Sequence, residues 1–204
     1  MLIAMNKADR DVNALTVLGL LLTGPRHTYE MHLMIERTHK DFVTGLPRSI
    51  YHAAQRLLAA GHIRVAATIR DGVRPERTVY ELSPAGRRRL GEWVRLLLAE
   101  PDPNSTLLVP ALNFAGCLTP AEVAAALRDR RALLVRGGEA GPPPGLPRLL
   151  TLEVEYETSR RRAEIDWLSG LIDDLEAGRL TWPADVVATA DIDRLIRDNG
   201  EGTR

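Results

Sequence analysis

Apolar residues crowd positions 14–23 (ALTVLGLLLT) and stop at Gly24-Pro25, a pattern that predicts a short buried helix with a hard terminus. Thr28 then offers an N-cap, and Met31, Met34, Ile35 and Thr38 recur at i, i+3, i+4 and i+7, one stripe of a second helix. After a break at Gly45-Leu46-Pro47, a third helix is predicted over about 48–60, with Ile50, Ala54, Leu57 and Leu58 on one side and Gly61 as its stop. The period then changes. Ile63, Val65, Ala67 and Ile69 alternate with more polar neighbours, as in a half-buried strand. Residues 70–75 (RDGVRP) have turn chemistry, Thr78, Tyr80 and Leu82 mark a returning strand, and Ser83-Pro84 opens a fourth helix running to about residue 99.

Pro101, Asp102 and Pro103 mark a boundary. Beyond it, leucines over 107–118 predict one helix, and Thr119-Pro120-Ala121-Glu122 is a capping box with proline at the first helical position. Residues 137–147 (GGEAGPPPGLP) read as a loop. A long helix is predicted over about 149–177, where Ile165, Leu168, Ile172 and Leu175 have the spacing of helix-on-helix packing. The weakly patterned residues 179–204 read as a partly ordered tail. The expected architecture is mainly α with a small β wing: a winged helix-turn-helix domain on 10–99 followed by a helical dimerisation domain on 104–178.

Charge sharpens this division. The 204 residues carry 27 basic and 27 acidic side chains, but residues 1–100 hold 15 basic against 10 acidic, leaving 12 against 17 in the remainder. A basic half joined to an acidic half suggests two tasks, one of them nucleic-acid binding. A single cysteine, Cys117, excludes a disulfide framework and the usual thiolate zinc sites. The apolar run 15–22 is far short of a membrane span. Asp9, Arg10 and Asp11 interrupt any secretory leader pattern, so a cytoplasmic protein without membrane attachment is expected. The five histidines form no i, i+4 pair and no metal is expected; no cofactor motif or nucleophile–base pair is present, so no catalysis is expected either.

The chemistry lies on two surfaces. With its apolar side turned inward, the third helix shows Arg48, Ser49, His52, Gln55 and Arg56 and no acid. Such a face suits phosphates and base edges. The hairpin adds Arg70, Arg74 and Arg77. A plain solvated face is the competing reading, and the order of elements favours the nucleic acid.

Three blocks carry a family resemblance: LTVLGLLLTGPRHTYEM, GLPRSIYHAAQRLLAAGHI and RTVYELSPAGRRRL, in that order within residues 15–90. The distinctive pieces are Gly24-Pro25-Arg26-His27-x-Tyr29-Glu30, Ser49-x-Tyr51 and Tyr80-x-Leu82-Ser83-x-x-Gly86. Together they resemble the PadR-like transcriptional regulators. EYETSRRRAEIDWLSGLIDDLEAG is similar to the helical dimerisation region of the longer members. The resemblance implies a homodimer bound to an inverted-repeat DNA operator, most often as a repressor, with one winged helix per half-site. It implies phosphate or groove contacts from Tyr29, Ser49 and Tyr51, and a sequence-reading helix carrying Arg48, His52, Gln55 and Arg56. The wing would contribute Arg70, Arg74 and Arg77. Dimerisation would fall to Tyr156, Ile165, Trp167, Leu168, Ile172 and Leu175. Some members bind aromatic effectors in the dimer cavity, which makes Trp93 and Trp167 candidates for stacking on a small aromatic ligand; simple packing is the plainer reading of both.

This chain departs from the family in having Thr28 where glycine is common and His52 where proline is common. An activator, or a repressor responsive to an aromatic ligand, would use the same fold. The alternative of another class is a helical adaptor whose winged domain binds protein.

Overall fold

The computed structural model describes residues 8–45, 47–69, 77–102, 106–138, 145–183 and 186. Helix α1 (Val12–Leu20) is capped by Asp11, whose carboxylate accepts from the Ala14 amide at 3.1 Å. Every residue from Ala14 to Leu20 is buried, so α1 is apolar all round and lies within the core rather than on its surface. After a 3-10 turn (Leu21–Thr23), Gly24 at φ +123° redirects the chain into the two-residue strand β1 (Arg26–His27) and then α2 (Thr28–Arg37).

The cap of α2 differs from expectation. Thr28 is the first helical residue, and His27 is the cap: its Nδ1 accepts from the Tyr29 amide at 3.1 Å, while its own amide donates to Glu30 at 2.8 Å. Desolvation lowers the His27 pKa, favouring the neutral ring that accepting requires.

Helix α3 (Arg48–Ala59) buries Ile50, Ala53, Ala54 and Leu57, with Leu58 half-buried at the margin. Gly61, at φ +72°, ends it. Strands β2 (Ile63–Ile69) and β3 (Arg77–Leu82) pair antiparallel, with an irregularity between Val65 and Ala67, and β1 pairs on the other side of β3. The expected half-burial of β2 does not hold. Only Ile63 is buried and the other six residues are exposed; among the described residues no layer covers the outer part of the hairpin. Helix α4 (Pro84–Ala99) starts at Ser83, whose Oγ accepts from the Gly86 amide at 3.0 Å. Helices α1 to α3, the hairpin and α4 form a winged helix-turn-helix.

The carboxy-terminal part is helical. The single helix expected over 107–118 divides into α5 (Leu108–Asn113) and a 3-10 turn (Ala115–Cys117). Helix α6 (Pro120–Arg136) has the expected capping box between Thr119 and Glu122. Helix α7 (Leu152–Glu176) follows a 3-10 turn (Arg148–Thr151). It packs on α6, which packs on α4. One continuous core runs from Leu15 and Leu18 through Leu90 and Leu97 to Leu127 and Leu168. Among the described residues, no helix is long and apolar enough to cross a membrane.

Candidate nucleic-acid interface

The burial of Ile50, Ala53, Ala54 and Leu57 fixes which side of α3 faces out. Arg48, His52 and Arg56 are all exposed, and their spacing of four sets them in one stripe along the helix. Tyr51, 51% exposed, flanks the stripe and meets the His52 ring edge-on, with centroids 5.8 Å apart. Helix α3 carries no acidic residue.

Other candidates on α3 are turned to local partners. The Ser49 hydroxyl is half-buried and donates to the Thr44 carbonyl at 2.8 Å. Gln55 is half-buried too, and its Nε2 donates to the Tyr80 hydroxyl on β3 at 3.0 Å. Arg56 remains exposed but forms an ion pair with Asp11 at 2.5 Å. Asp11 thus caps α1 with one carboxylate oxygen and holds Arg56 with the other. Sequence reasoning missed both Asp11 and Tyr80 as partners. Their only signals were an acid at a helix start and a tyrosine in the alternation of β3.

Tyr29, 56% exposed, lies near the start of α2 with its ring 6.2 Å from that of His32. Arg77 is exposed at the start of β3, whereas Arg70 and Arg74 lie outside the described residues. The hairpin's other arginine, Arg64, pairs with Glu81 across the strands at 2.7 Å.

In the carboxy-terminal helices, Leu168, Ile172 and Leu175 are buried within the chain. Helix α7 packs on α6, and these three side chains are turned into the chain's own core. Ile165 is half-buried. Tyr156 (66%) and Trp167 (49%) are exposed.

Trp93 is a core residue, and this corrects its candidacy for ligand stacking: it is only 3% exposed, its indole N–H donates to the Asp9 carbonyl at 2.7 Å, and the Arg89 guanidinium lies 4.7 Å from its ring centre. No ring face is left for a ligand. Trp167 lines a cavity of about 410 Å³ with Leu112, Val123, Leu171 and Trp182, and the Trp182 indole N–H donates to the Leu118 carbonyl at 2.9 Å.

The chain is similar to Bacillus subtilis PadR, solved in complex with operator DNA, at 20% identity over 79% of this chain and 98% of that one, with a TM-score of 0.40. It is similar to smu.1604c from Streptococcus mutans UA159 at 16% identity, covering 78% and 98%, with a TM-score of 0.36. A third similar structure is the PadR-like transcriptional regulator BC1756 from Bacillus cereus, at 18% identity, covering 81% and 99%, with a TM-score of 0.34. No curated protein matches the chain. Residues 17–92, which run from within α1 to within α4 and contain the whole exposed stripe of α3, match the model of the transcriptional regulator PadR-like family. Over that segment the chain is similar to the PadR-like family of transcriptional regulators.

Proposed function

We propose that this chain is a DNA-binding transcriptional regulator that acts as a homodimer on an inverted-repeat operator, as a repressor and without catalysis. The observation that carries the reading is the acid-free exposed stripe Arg48, His52 and Arg56 on the third helix of a winged helix-turn-helix. Cations on such a helix neutralise phosphates and release condensed counterions, while the same donors reach base edges in the major groove. Tyr29, Tyr51 and Arg77 are the exposed candidates for backbone contacts beside it. Ser49 could join them only by leaving Thr44. We assign the DNA-binding part to residues 10–99 and the dimerising part to 104–178.

Support for a dimer comes from apolar side chains left uncovered around the start of α7. Leu149, Leu150, Leu152 and Tyr156 are all exposed, a cluster of the kind that marks an interface. A second reading, a repressor relieved by a small aromatic effector, is favoured by the apolar cavity beside Trp167.

The test is binding of the purified protein to the DNA upstream of its own gene at two salt concentrations, with the mass in solution measured in parallel. A dimer is expected, with affinity on the order of 10⁻⁸ M or tighter and a steep fall with salt. Arg48→Ala should weaken binding, and Tyr156→Asp should yield monomers that bind poorly. Affinity that ignores both salt and Arg48 would instead make the winged part a protein-binding module.

A further inference from the structure

The outer face of α3 offers four side chains with the chemistry to read bases: Arg48, His52, Gln55 and Arg56. They do not stand in equivalent positions. Gln55 lies on the flank facing the wing, half-buried, with its amide nitrogen on the Tyr80 hydroxyl at 3.0 Å. Tyr80 is itself a buried residue of the central strand β3, so this partner is fixed. Arg56 lies on the opposite flank, where Asp11 takes its guanidinium at 2.5 Å. Asp11 is fixed in turn, because its other carboxylate oxygen caps α1.

The two contacts brace α3 from both sides, one against the sheet and one against α1. Between the braces, Arg48 and His52 are exposed, and His52 has its neighbour Tyr51 edge-on. They also occupy the first half of the helix, and recognition helices of this class bring their amino-terminal residues to the base edges.

Resting on the DNA-binding reading above, we infer that sequence reading is carried by Arg48 and His52, and that Gln55 and Arg56 are positioning residues that set the roll of α3 in the groove. Arg48 has the donor fork that matches guanine O6 and N7, and the His52 imidazole N–H suits a purine N7. The Tyr80 contact fixes the Gln55 amide towards the sheet, and swinging it fully towards a base would leave a buried hydroxyl without that partner. Asp11 holds the Arg56 guanidinium towards α1, and turning the whole fork onto a base would leave that carboxylate uncompensated beside a polyanion, which is unfavourable. Specificity therefore lies in two side chains one helical turn apart, a narrow window in each half-site.

Selection of bound duplexes from a random pool by the full-length protein tests the assignment, with melting curves confirming that each variant folds. The wild type should enrich a motif. Arg48→Ala and His52→Ala should each lose preference at one position per half-site, with discrimination there falling by about 5- to 150-fold. Gln55→Ala and Arg56→Ala should keep the motif unchanged while binding every duplex less tightly. Tyr80→Phe should reproduce Gln55→Ala, and Asp11→Asn, which preserves a capping side chain, should likewise leave the motif intact. A changed motif in Gln55→Ala or Arg56→Ala, or an unchanged one in both Arg48→Ala and His52→Ala, overturns this assignment alone. A wild-type pool without an enriched sequence overturns the DNA-binding reading and the assignment with it.

Discussion

Cys117 closes the 3-10 turn that follows α5, packed against the core. Desolvation there pushes the thiol from its ordinary 9.0 up to about 12. The consequence for stability follows from which state loses its proton first. The unfolded chain releases the Cys117 proton once pH passes the ordinary thiol range, while the folded chain still holds it. The thiol therefore costs nothing below about pH 8.5 and destabilises the fold progressively as pH rises from there towards 12. At pH 8.5, alkylation by iodoacetamide should be at least about tenfold slower in the native protein than in the urea-unfolded chain, since the thiolate is the nucleophile. Equal rates would show that the thiol is not shielded. The same principle separates the α3 side chains. Polar character was readable at Ser49 and Gln55, but the carbonyl of Thr44 and the hydroxyl of Tyr80 that hold them come from other segments.

At the scale of elements, the first turn of α4 shows how closely the helices meet the wing. A Cβ at Gly86 would lie 1.9 Å from the His62 carbonyl oxygen, at the turn between α3 and β2. The Ser83 hydroxyl reaches the same carbonyl, at 2.9 Å, and also the Gly61 carbonyl, at 2.7 Å. Glycine at 86 thus allows the close approach on which the register of α3, hairpin and α4 depends. Gly86→Ala should destabilise the protein by about 1–3 kcal/mol through forced separation of backbones, read as a lower urea midpoint at unchanged slope. An unshifted midpoint would show that α4 can move aside freely. Strand β2 carries the opposite lesson. Its alternation resembles that of a strand with one covered face, yet Val65 and Ile69 are exposed, because alternation reports a face without reporting whether anything packs on it.

Across the whole molecule, Arg130 ties three helices together. It is buried on α6, its Nε donates to Glu164 of α7 at 2.6 Å, and its Nη1 donates to the Leu97 and Glu100 carbonyls at the end of α4. A guanidinium at a helix carboxy terminus also complements the dipole there. Arg130→Ala would leave Glu164, itself 12% exposed, with the longer Arg160 contact at 3.5 Å as its remaining ion pair among the described residues. We expect a loss of about 3–5 kcal/mol, lowering the melting temperature by roughly 6–20 °C. A melting temperature within about 2 °C of wild type would mean that the three helices hold together by apolar packing alone. A further tie is the aromatic ring of Phe114 against Gly19 of α1, where an added Cβ would meet the ring at 2.3 Å. Through such contacts the winged part and the carboxy-terminal helices share one core.

Local chemistry determined the order of elements and much of the candidate face. Gly61 and Gly24 stop their segments through positive φ, Thr119 and Glu122 cap α6, and the period of Ile50, Ala54 and Leu57 turns Arg48, His52 and Arg56 outward. These outcomes depend on neighbours within a few residues, so they can be read along the chain. The tertiary structure alone decided that Gln55 and Arg56 are held, that Trp93 is core, and that Leu168, Ile172 and Leu175 are buried within the chain. Each of those depends on a partner 25 or more residues away in sequence, or on which helix covers which face. Periodicity shows that a side chain has a preferred side, and only packing shows what waits there.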